Sequence, residues 1–220
     1  MDRTDIAVSS RDPQIVRAAL DRWIATKQHG ATITSFDKPD GNGMSSDSVL
    51  FDARWGGEDH ALVARIAPAD VDVPVFRTYD LDMQFEVMKL VAERSDTPVP
   101  ECLWNEPDPD AIGAPFFVMR RVVGRVPPDN LPYSFEGWLV DASPAERMAL
   151  QDDTVWALAG IHGVDLSDVD TSFLGHDPDG PSALRQHMDE WSDYYRWLDP
   201  AEPIPVIEDA IYKCCCALKM

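Results

Sequence analysis

Three separated groups of residues in this chain have the types and the order needed to hold nucleotide phosphates. Gly-Asn-Gly-Met-Ser-Ser occupies residues 41–46 between two β-prone segments, Arg65 lies in the next β-prone segment, and Glu86 lies in a helical pattern beyond it. The loop can contact phosphates through N–H groups and hydroxyls, a strand cation can hold them, and a carboxylate on the following helix can orient that cation. The ordered set predicts kinase-like phosphate binding.

Each group also has an ordinary explanation when it is taken alone. Asn-Gly between two strands is the commonest hairpin signal, Arg65 could be a solvent-facing strand residue, and Glu86 could pair with Lys89 along its helix. Two other nucleotide motifs do not fit. A dinucleotide fingerprint needs a helix where residues 48–55 are β-prone, and the Gly-Lys-Ser/Thr of a Walker loop is absent. Only the order of the three groups favours the functional interpretation.

The elements that must position these residues follow from hydrophobic periodicity and turn signals. The pattern is a helix, three strands, a second helix, two strands and then helices only. The boundary is placed after residue 123, where the alternating pattern gives way to helical spacing. The order predicts an α+β fold with an antiparallel five-stranded lobe and one packed helix in residues 1–123, and a partial helical lobe in residues 124–220. The predicted strands cover 32–36, 48–55, 61–66, 101–104 and 116–123, and the main helices cover 13–30, 81–94, 143–162 and 181–198.

Composition and cysteine spacing exclude several classes of protein. With 39 acidic and 19 basic residues the net charge is -20, which repels nucleic acid and anionic membrane surfaces. No stretch approaches the roughly 20 apolar residues of a membrane helix, and residues 1–10 do not resemble a signal peptide. Cys102 is isolated and Cys214, Cys215 and Cys216 are consecutive, which fits neither a disulfide framework nor a zinc site. We predict a cytoplasmic protein with no bound metal, no nucleic-acid partner and no membrane association.

The chain resembles the aminoglycoside phosphotransferase and choline-kinase-like family, which has a protein-kinase-like fold, and within it the actinobacterial-type branch. The resemblance extends from the first lobe to about Ala210, and its segments occur in the family's order. They are Gly-Met-Ser-Ser at 43–46, Leu-Val-Ala-Arg-Ile-Ala-Pro at 62–68, and the runs at 84–92, 97–100 and 113–124. The resemblance implies ATP as phosphoryl donor, with Mg in the full-length parent, and a hydroxyl of a small molecule as acceptor.

The resemblance also implies a set of nucleotide-binding residues in the first lobe. Arg65 stands where the wider kinase pattern has lysine, and Glu86 is its implied partner. The remaining residues cap the phosphates or form the hinge that faces the adenine. The capping residues are Gly43, Met44, Ser45 and Ser46, and the hinge residues are Met119, Arg120, Arg121 and Val122.

The family's catalytic loop, His-Gly-Asp-x-x-x-x-Asn with a later metal-binding Asp, has no match in this chain. His162, Gly163 and Asp165 have the wrong spacing, and Asp177 has no Asn five residues beyond it. No catalytic or metal-binding residue is therefore assigned. We expect a chain truncated before the catalytic half and inactive as a phosphotransferase. The run of three cysteines then marks an altered gene end or, alternatively, a genuine short helix.

Two hypotheses of different class follow from the sequence. In the first, the chain is the nucleotide-side part of an ATP-dependent phosphotransferase. In the second, it is a non-catalytic, pseudokinase-like module that binds a nucleotide or a protein partner. In either case a partial helical lobe should leave apolar surface uncovered, which favours self-association through that lobe.

Overall fold

The computed structural model describes residues 11–39, 47–69, 76–127, 133–198 and 202–217, without the side chains of the last three. Within these ranges the chain forms five strands and six α-helices, with short 3-10 turns at Pro109–Ala111 and Ser172–Leu174. The strands are β1 (Thr32–Asp37), β2 (Asp47–Trp55), β3 (Glu58–Ile66), β4 (Cys102–Glu106) and β5 (Phe116–Arg120). The helices are α1 (Pro13–Lys27), α2 (Leu81–Arg94), α3 (Trp138–Asp141), α4 (Pro144–His162), α5 (Ala183–Trp197) and α6 (Pro205–Ala217).

The strands form one antiparallel sheet in the order β1-β2-β3-β5-β4, which confirms the predicted five-stranded lobe. Gly56 and Gly57 make the turn between β2 and β3, and their positive φ angles of 61° and 86° suit a two-residue hairpin loop. This tight turn fixes an unbroken register that places Ser48 opposite Arg65. Because side chains alternate along a strand, the register decides which residues share each face of the sheet.

One face of the sheet is covered by α1. Asp12 caps this helix by accepting a hydrogen bond from the Gln14 backbone N–H, and Pro13 occupies its first turn. The apolar residues of α1 recur at helical spacing and pack against every second residue of the central strands. The buried cluster includes Leu20, Trp23 and Ile24 of the helix with Phe51, Leu62, Phe116 and Val118 of the sheet.

The other face carries α2 over one end of β5. Asp80 caps α2 by accepting a hydrogen bond from Met83 N–H at 2.8 Å. Leu81 and Phe85 of the helix pack on Phe117 of β5, with the two phenyl rings edge to face at 5.8 Å. This contact fixes α2 against the sheet, since burial of aromatic surface is its main source of stability.

The predicted end of β5 was wrong by three residues. Residues 116–123 were expected to be a strand, but β5 ends at Arg120. The last pair with β3 is Leu62 with Arg120, followed by a hydrogen bond from Arg121 N–H to Ala61 O. Beyond that point the side chains of Val122 and Val123 are 71% and 91% exposed, so neither packs on the sheet.

Glu106 joins β4 to α1, and we expect its contribution to stability to depend on pH. Trp23 Nε1 donates to Glu106 Oε2 at 2.8 Å, and Lys27 Nζ lies 3.0 Å from the same oxygen. These two contacts lower the pKa of Glu106 below its ordinary value. A carboxyl with a lowered folded pKa stabilises the fold above its unfolded pKa, and the effect is lost as pH falls through the folded pKa.

The variant Glu106→Gln isolates this charge, because an amide oxygen can still accept from Trp23. We expect it to lower the free energy of unfolding by about 1 kcal/mol at neutral pH. In acid below the folded pKa of Glu106 the difference from the wild type should vanish. Urea denaturation at the two pH values measures both quantities, and a difference that persists in acid would show that the charge is not its source.

The helical lobe contacts the sheet lobe at a few defined points. The predicted capping box at Ser143 and Glu146 begins α4 as expected. Arg94 at the end of α2 pairs with Asp168 at 2.9 Å. Thr97 Oγ1 donates to Ala157 O of α4 at 3.3 Å. Glycine at position 160 of α4 allows this close approach, because a Cβ atom at that position would lie 2.3 Å from Thr97 Oγ1.

Candidate functional site

The sheet face that includes Arg65 forms a grid of three rows across β2, β3 and β5. Residues directly opposite one another in an antiparallel pair point to the same side of the sheet. The first row carries the cation, the second is apolar, and the third carries opposite charges. From the strand register the rows are Ser48, Arg65 and Phe117; Leu50, Val63 and Met119; and Asp52, Ala61 and Arg121.

Arg65 is half-buried on this face and has no partner within the described residues. Its side chain makes no ion pair there, and its buried Nε has no hydrogen-bond acceptor. Burial lowers the pKa of the guanidinium, although an arginine keeps its charge at neutral pH. A half-buried cation without a counter-charge is costly to the fold unless an anion binds it. This side chain therefore fits an anionic ligand.

Glu86, the expected partner of Arg65, pairs with a different residue. Its carboxylate lies 3.6 Å from Lys89 Nζ on the same helix, and no Arg65–Glu86 ion pair occurs among the described residues. The neighbouring Phe85 packs on Phe117 of the sheet, whereas the Glu86 side chain is 43% exposed. Glu86 instead borders a cleft of about 240 Å³ between α2 and the 3-10 turn at Ser172–Leu174. The structure therefore does not bring Glu86 together with Arg65, the partner that the resemblance implies for it.

The predicted hinge residues lie on both sides of the sheet. Met119 is on the Arg65 face and packs beside Phe117, and Arg121 returns to the same face. There the Arg121 Nη2 atom contacts Asp52 Oδ1 at 2.5 Å. Met119 and Arg121 therefore share the surface with Arg65, as a common site requires.

Arg120 and Val122 are placed differently from Met119 and Arg121. Arg120 points to the opposite face, where its Nε lies 2.7 Å from Glu101 Oε2. Val122 begins a segment outside helix and strand that runs to residue 127 and is exposed as far as Val126. The predicted phosphate-capping residues Gly43, Met44, Ser45 and Ser46 lie outside the described residues.

Asp52 is the site residue that the sequence interpretation missed. In the sequence it is one polar residue in an alternating strand, which is typical of a solvent-facing position. The alternation of side chains along β2 could have revealed it. Asp52 is four residues from Ser48 and so lies on the same face, and Ser48 is the residue opposite Arg65. Its contact with Arg121, 69 residues away, cannot be found from local pattern.

Two further features concern metals and membranes. Among the residues that the structure describes, no group of three or more His, Cys, Asp or Glu side chains is arranged to hold a metal ion. Within those same ranges no helix combines the length and apolar character needed to cross a membrane.

Comparison with known proteins decides the family. A model of the phosphotransferase enzyme family, APH, matches residues 38–218. The chain belongs to this family. The match includes β2, β3, α2 and β5, which are the elements that build the Arg65 face.

A solved structure supports the same fold for this APH family chain. The crystal structure is of a Ralstonia eutropha JMP134 protein whose description assigns it provisionally to the aminoglycoside phosphotransferases. It is 25% identical, with a TM-score of 0.54, and the match covers 88% of this chain and 51% of that chain. This chain therefore spans about half the length of that protein. The protein-kinase-like α+β fold predicted from the sequence is confirmed.

Relatives found by sequence carry a different name and are much longer. One is an Arabidopsis thaliana protein named "Probable acyl-CoA dehydrogenase IBR3", 27% identical over 155 residues, or 70% of this chain and 17% of that protein. Another is acyl-CoA dehydrogenase family member 11 of Gallus gallus, 31% identical over 141 residues, or 64% of this chain and 16% of that protein. Because the chain spans less than a fifth of these proteins, their names describe the whole proteins and are not transferred to it.

Proposed function

We propose that this chain binds ATP on the Arg65 face of its sheet, as the nucleotide side of an ATP-dependent phosphotransferase that acts on a hydroxyl of a small molecule. The observation that carries the proposal is the half-buried guanidinium of Arg65, which has no ion pair among the described residues, in a chain of the APH family. ATP with Mg supplies the phosphoryl group for transfer when it is bound. The chain's own residues bind and orient that nucleotide.

The three rows of the face would contact different parts of the nucleotide. Arg65 provides donors for phosphate oxygens, as a guanidinium commonly does. The apolar row offers a surface for the face of a purine ring through Leu50 and Met119, which are partly exposed, with Val63 buried between them. The exposed segment that follows Arg121 lies beside the third row, where its backbone can meet the edge of the base. The ion pair of Glu86 with Lys89 would have to break before Glu86 could reach Arg65.

A cytoplasmic location is part of this proposal. ATP is supplied there, and Cys102 and Cys214 are free thiols in the structure, which suits a reducing compartment. The net charge of -20 makes nucleic acid a poor partner, and the small-molecule acceptor is the one that the family resemblance implies.

A non-catalytic binding module is the second candidate, and the helical lobe favours it. None of the side chains of α4 is buried, and Val155, Trp156 and Leu158 are exposed along it. Exposed apolar surface of this kind commonly marks an interaction site. If the chain is such a module, it should bind ATP and associate through α4 without phosphoryl transfer.

Calorimetric titration of ATP into the purified chain, with Mg present, tests the proposed function. We expect saturable binding of one ATP per chain, because the Arg65 face is a single site on the sheet. The titration measures binding rather than turnover, because the proposal concerns the Arg65 face of the sheet lobe. The absence of any saturable heat, confirmed by equilibrium dialysis with labelled ATP, would overturn the proposal. Sedimentation velocity on the same sample reports self-association.

A further inference from the structure

Asp52 connects three segments of the chain across the Arg65 face. One carboxylate oxygen, Oδ1, accepts from Arg121 Nη2 at 2.5 Å, and the other, Oδ2, accepts from Ser35 Oγ of β1 at 2.5 Å. Both oxygens are therefore engaged. The Arg121 side chain reaches Asp52 over Ala61, whose methyl group leaves room between them. Asp52 and Arg121 are 32% and 27% exposed, so the pair is partly shielded from solvent.

This ion pair fixes the point at which the chain leaves the sheet. Arg121 is the first residue after β5, and its backbone N–H donates to Ala61 O at 3.0 Å. At the far end of the exposed segment, Arg125 lies over the Trp138 ring at 4.4 Å, and Trp138 Nε1 donates to Val126 O. The side chains of Val122 and Val123 between these anchors are largely exposed and belong to no buried cluster of the described residues. Its direction is therefore set by the anchors at its two ends.

The two charged rows of the face are well separated. Arg65 and Ala61 are four residues apart on β3, which corresponds to about 13 Å along a strand. A protein side chain that contacts the phosphates beside Arg65 is thus too far away to contact the base beside Arg121 as well. The two ends of the face can be tested independently with ligands that have phosphates with or without a base.

We infer that Asp52 is a positioning residue for the purine base of the nucleotide, acting through Arg121 on the exposed segment that follows β5. This inference rests on the proposed ATP site and adds a residue to it. Asp52 holds Arg121, Arg121 holds the start of the segment, and the segment presents its backbone to the base. The phosphates depend on Arg65 at the other end of the face and not on Asp52.

The variant Asp52→Asn tests this inference, because it removes the charge while retaining the size and an acceptor for Ser35. We expect its Kd for ATP to rise roughly 5- to 10-fold, within the range for loss of one ordinary hydrogen bond, because Asp52 acts on the base only through Arg121. Its Kd for inorganic tripolyphosphate, which has no base, should stay within about twofold of the wild type. A residue that only supports the fold would weaken both ligands together.

A control variant and a charge-reversed double variant, with one substitute for the latter, accompany this test. Asp59→Asn breaks the exposed Arg54–Asp59 pair of the same hairpin, where the side chains are 58% and 56% exposed, and should leave both Kd values unchanged. The double variant Asp52→Arg with Arg121→Asp reverses the pair and should recover ATP affinity. If that double variant does not fold, Ala61→Leu serves instead, because it keeps both charges but fills the space between them and should weaken ATP alone.

The possible failures can be told apart. If Asp52→Asn weakens the binding of ATP and of tripolyphosphate equally, the inference is overturned and the proposed function stands. The same holds if the variant weakens the binding of neither ligand while the wild-type chain binds ATP. A wild-type chain that binds tripolyphosphate but not ATP overturns both.

Discussion

Replacement of Arg65 with glutamine should weaken ATP binding roughly 10- to 100-fold, because hydrogen bonds to charged groups contribute about 1.5–3 kcal/mol. Glutamine retains most of the length and loses the cation. Arg65→Lys keeps the charge without the planar fork of donors and should bind with intermediate affinity. Calorimetric titration of ATP into the wild type, Arg65→Gln and Arg65→Lys gives the Kd of each protein.

The same variant should not destabilise the protein. Arg65 is half-buried, and its Nε has no partner among the described residues, so its removal relieves a desolvation cost without breaking an ion pair. We expect the Tm of Arg65→Gln to equal or exceed that of the wild type. The control is Arg54→Gln, which removes an exposed arginine from β2 and should leave ATP affinity unchanged. A large fall in Tm for Arg65→Gln, or equal loss of affinity in the two variants, would contradict the account.

Replacement of Phe117 with alanine should cost about 3–5 kcal/mol of unfolding free energy, the usual range for loss of a buried phenyl group. Phe117 is fully buried, lies opposite Arg65 in the sheet, and packs against Phe85 of α2. Its loss creates a cavity and removes the contact that holds α2 on the sheet. Urea denaturation followed by circular dichroism measures the change.

Phe135→Ala provides the matched control for this prediction. The Phe135 side chain is 76% exposed, so its truncation should change the unfolding free energy by no more than about 0.5 kcal/mol. If both variants lose the same free energy, the assigned packing of α2 on β5 is wrong. If Phe117→Ala also weakens ATP binding at a temperature where it is folded, the effect reports the support that Phe117 gives to Arg65.

Local pattern was sufficient for most of the fold. Alternation predicted the strands, the Asp12–Pro13 and Ser143–Glu146 signals predicted two helix starts, and all are present. The sequence analysis assigned Arg65 to a strand but not to a face of the sheet; the face follows from the two-residue hairpin at Gly56 and Gly57, which sets the register. These features depend on residues close together in the chain, which is why sequence reveals them.

The parts that could not be predicted depend on packing between distant segments. The direction of Glu86 is set by how Phe85 of α2 contacts Phe117, and the Asp52–Arg121 pair spans β3. β5 ends at Arg120, one residue beyond its last pair with β4, although the β-prone residues Val122 and Val123 follow and β3 extends further. Pattern alone carries no information about such contacts.

The central claim is that Arg65 receives the phosphates of ATP on the face of the sheet that carries α2. The most direct test is a parallel titration of ATP into the wild-type chain and the Arg65→Gln variant, with the fold of each verified by circular dichroism. The account predicts saturable binding of one ATP to the wild type and a Kd at least about tenfold higher in the variant. Equal affinity in two folded proteins, or no binding by the wild type, would contradict it.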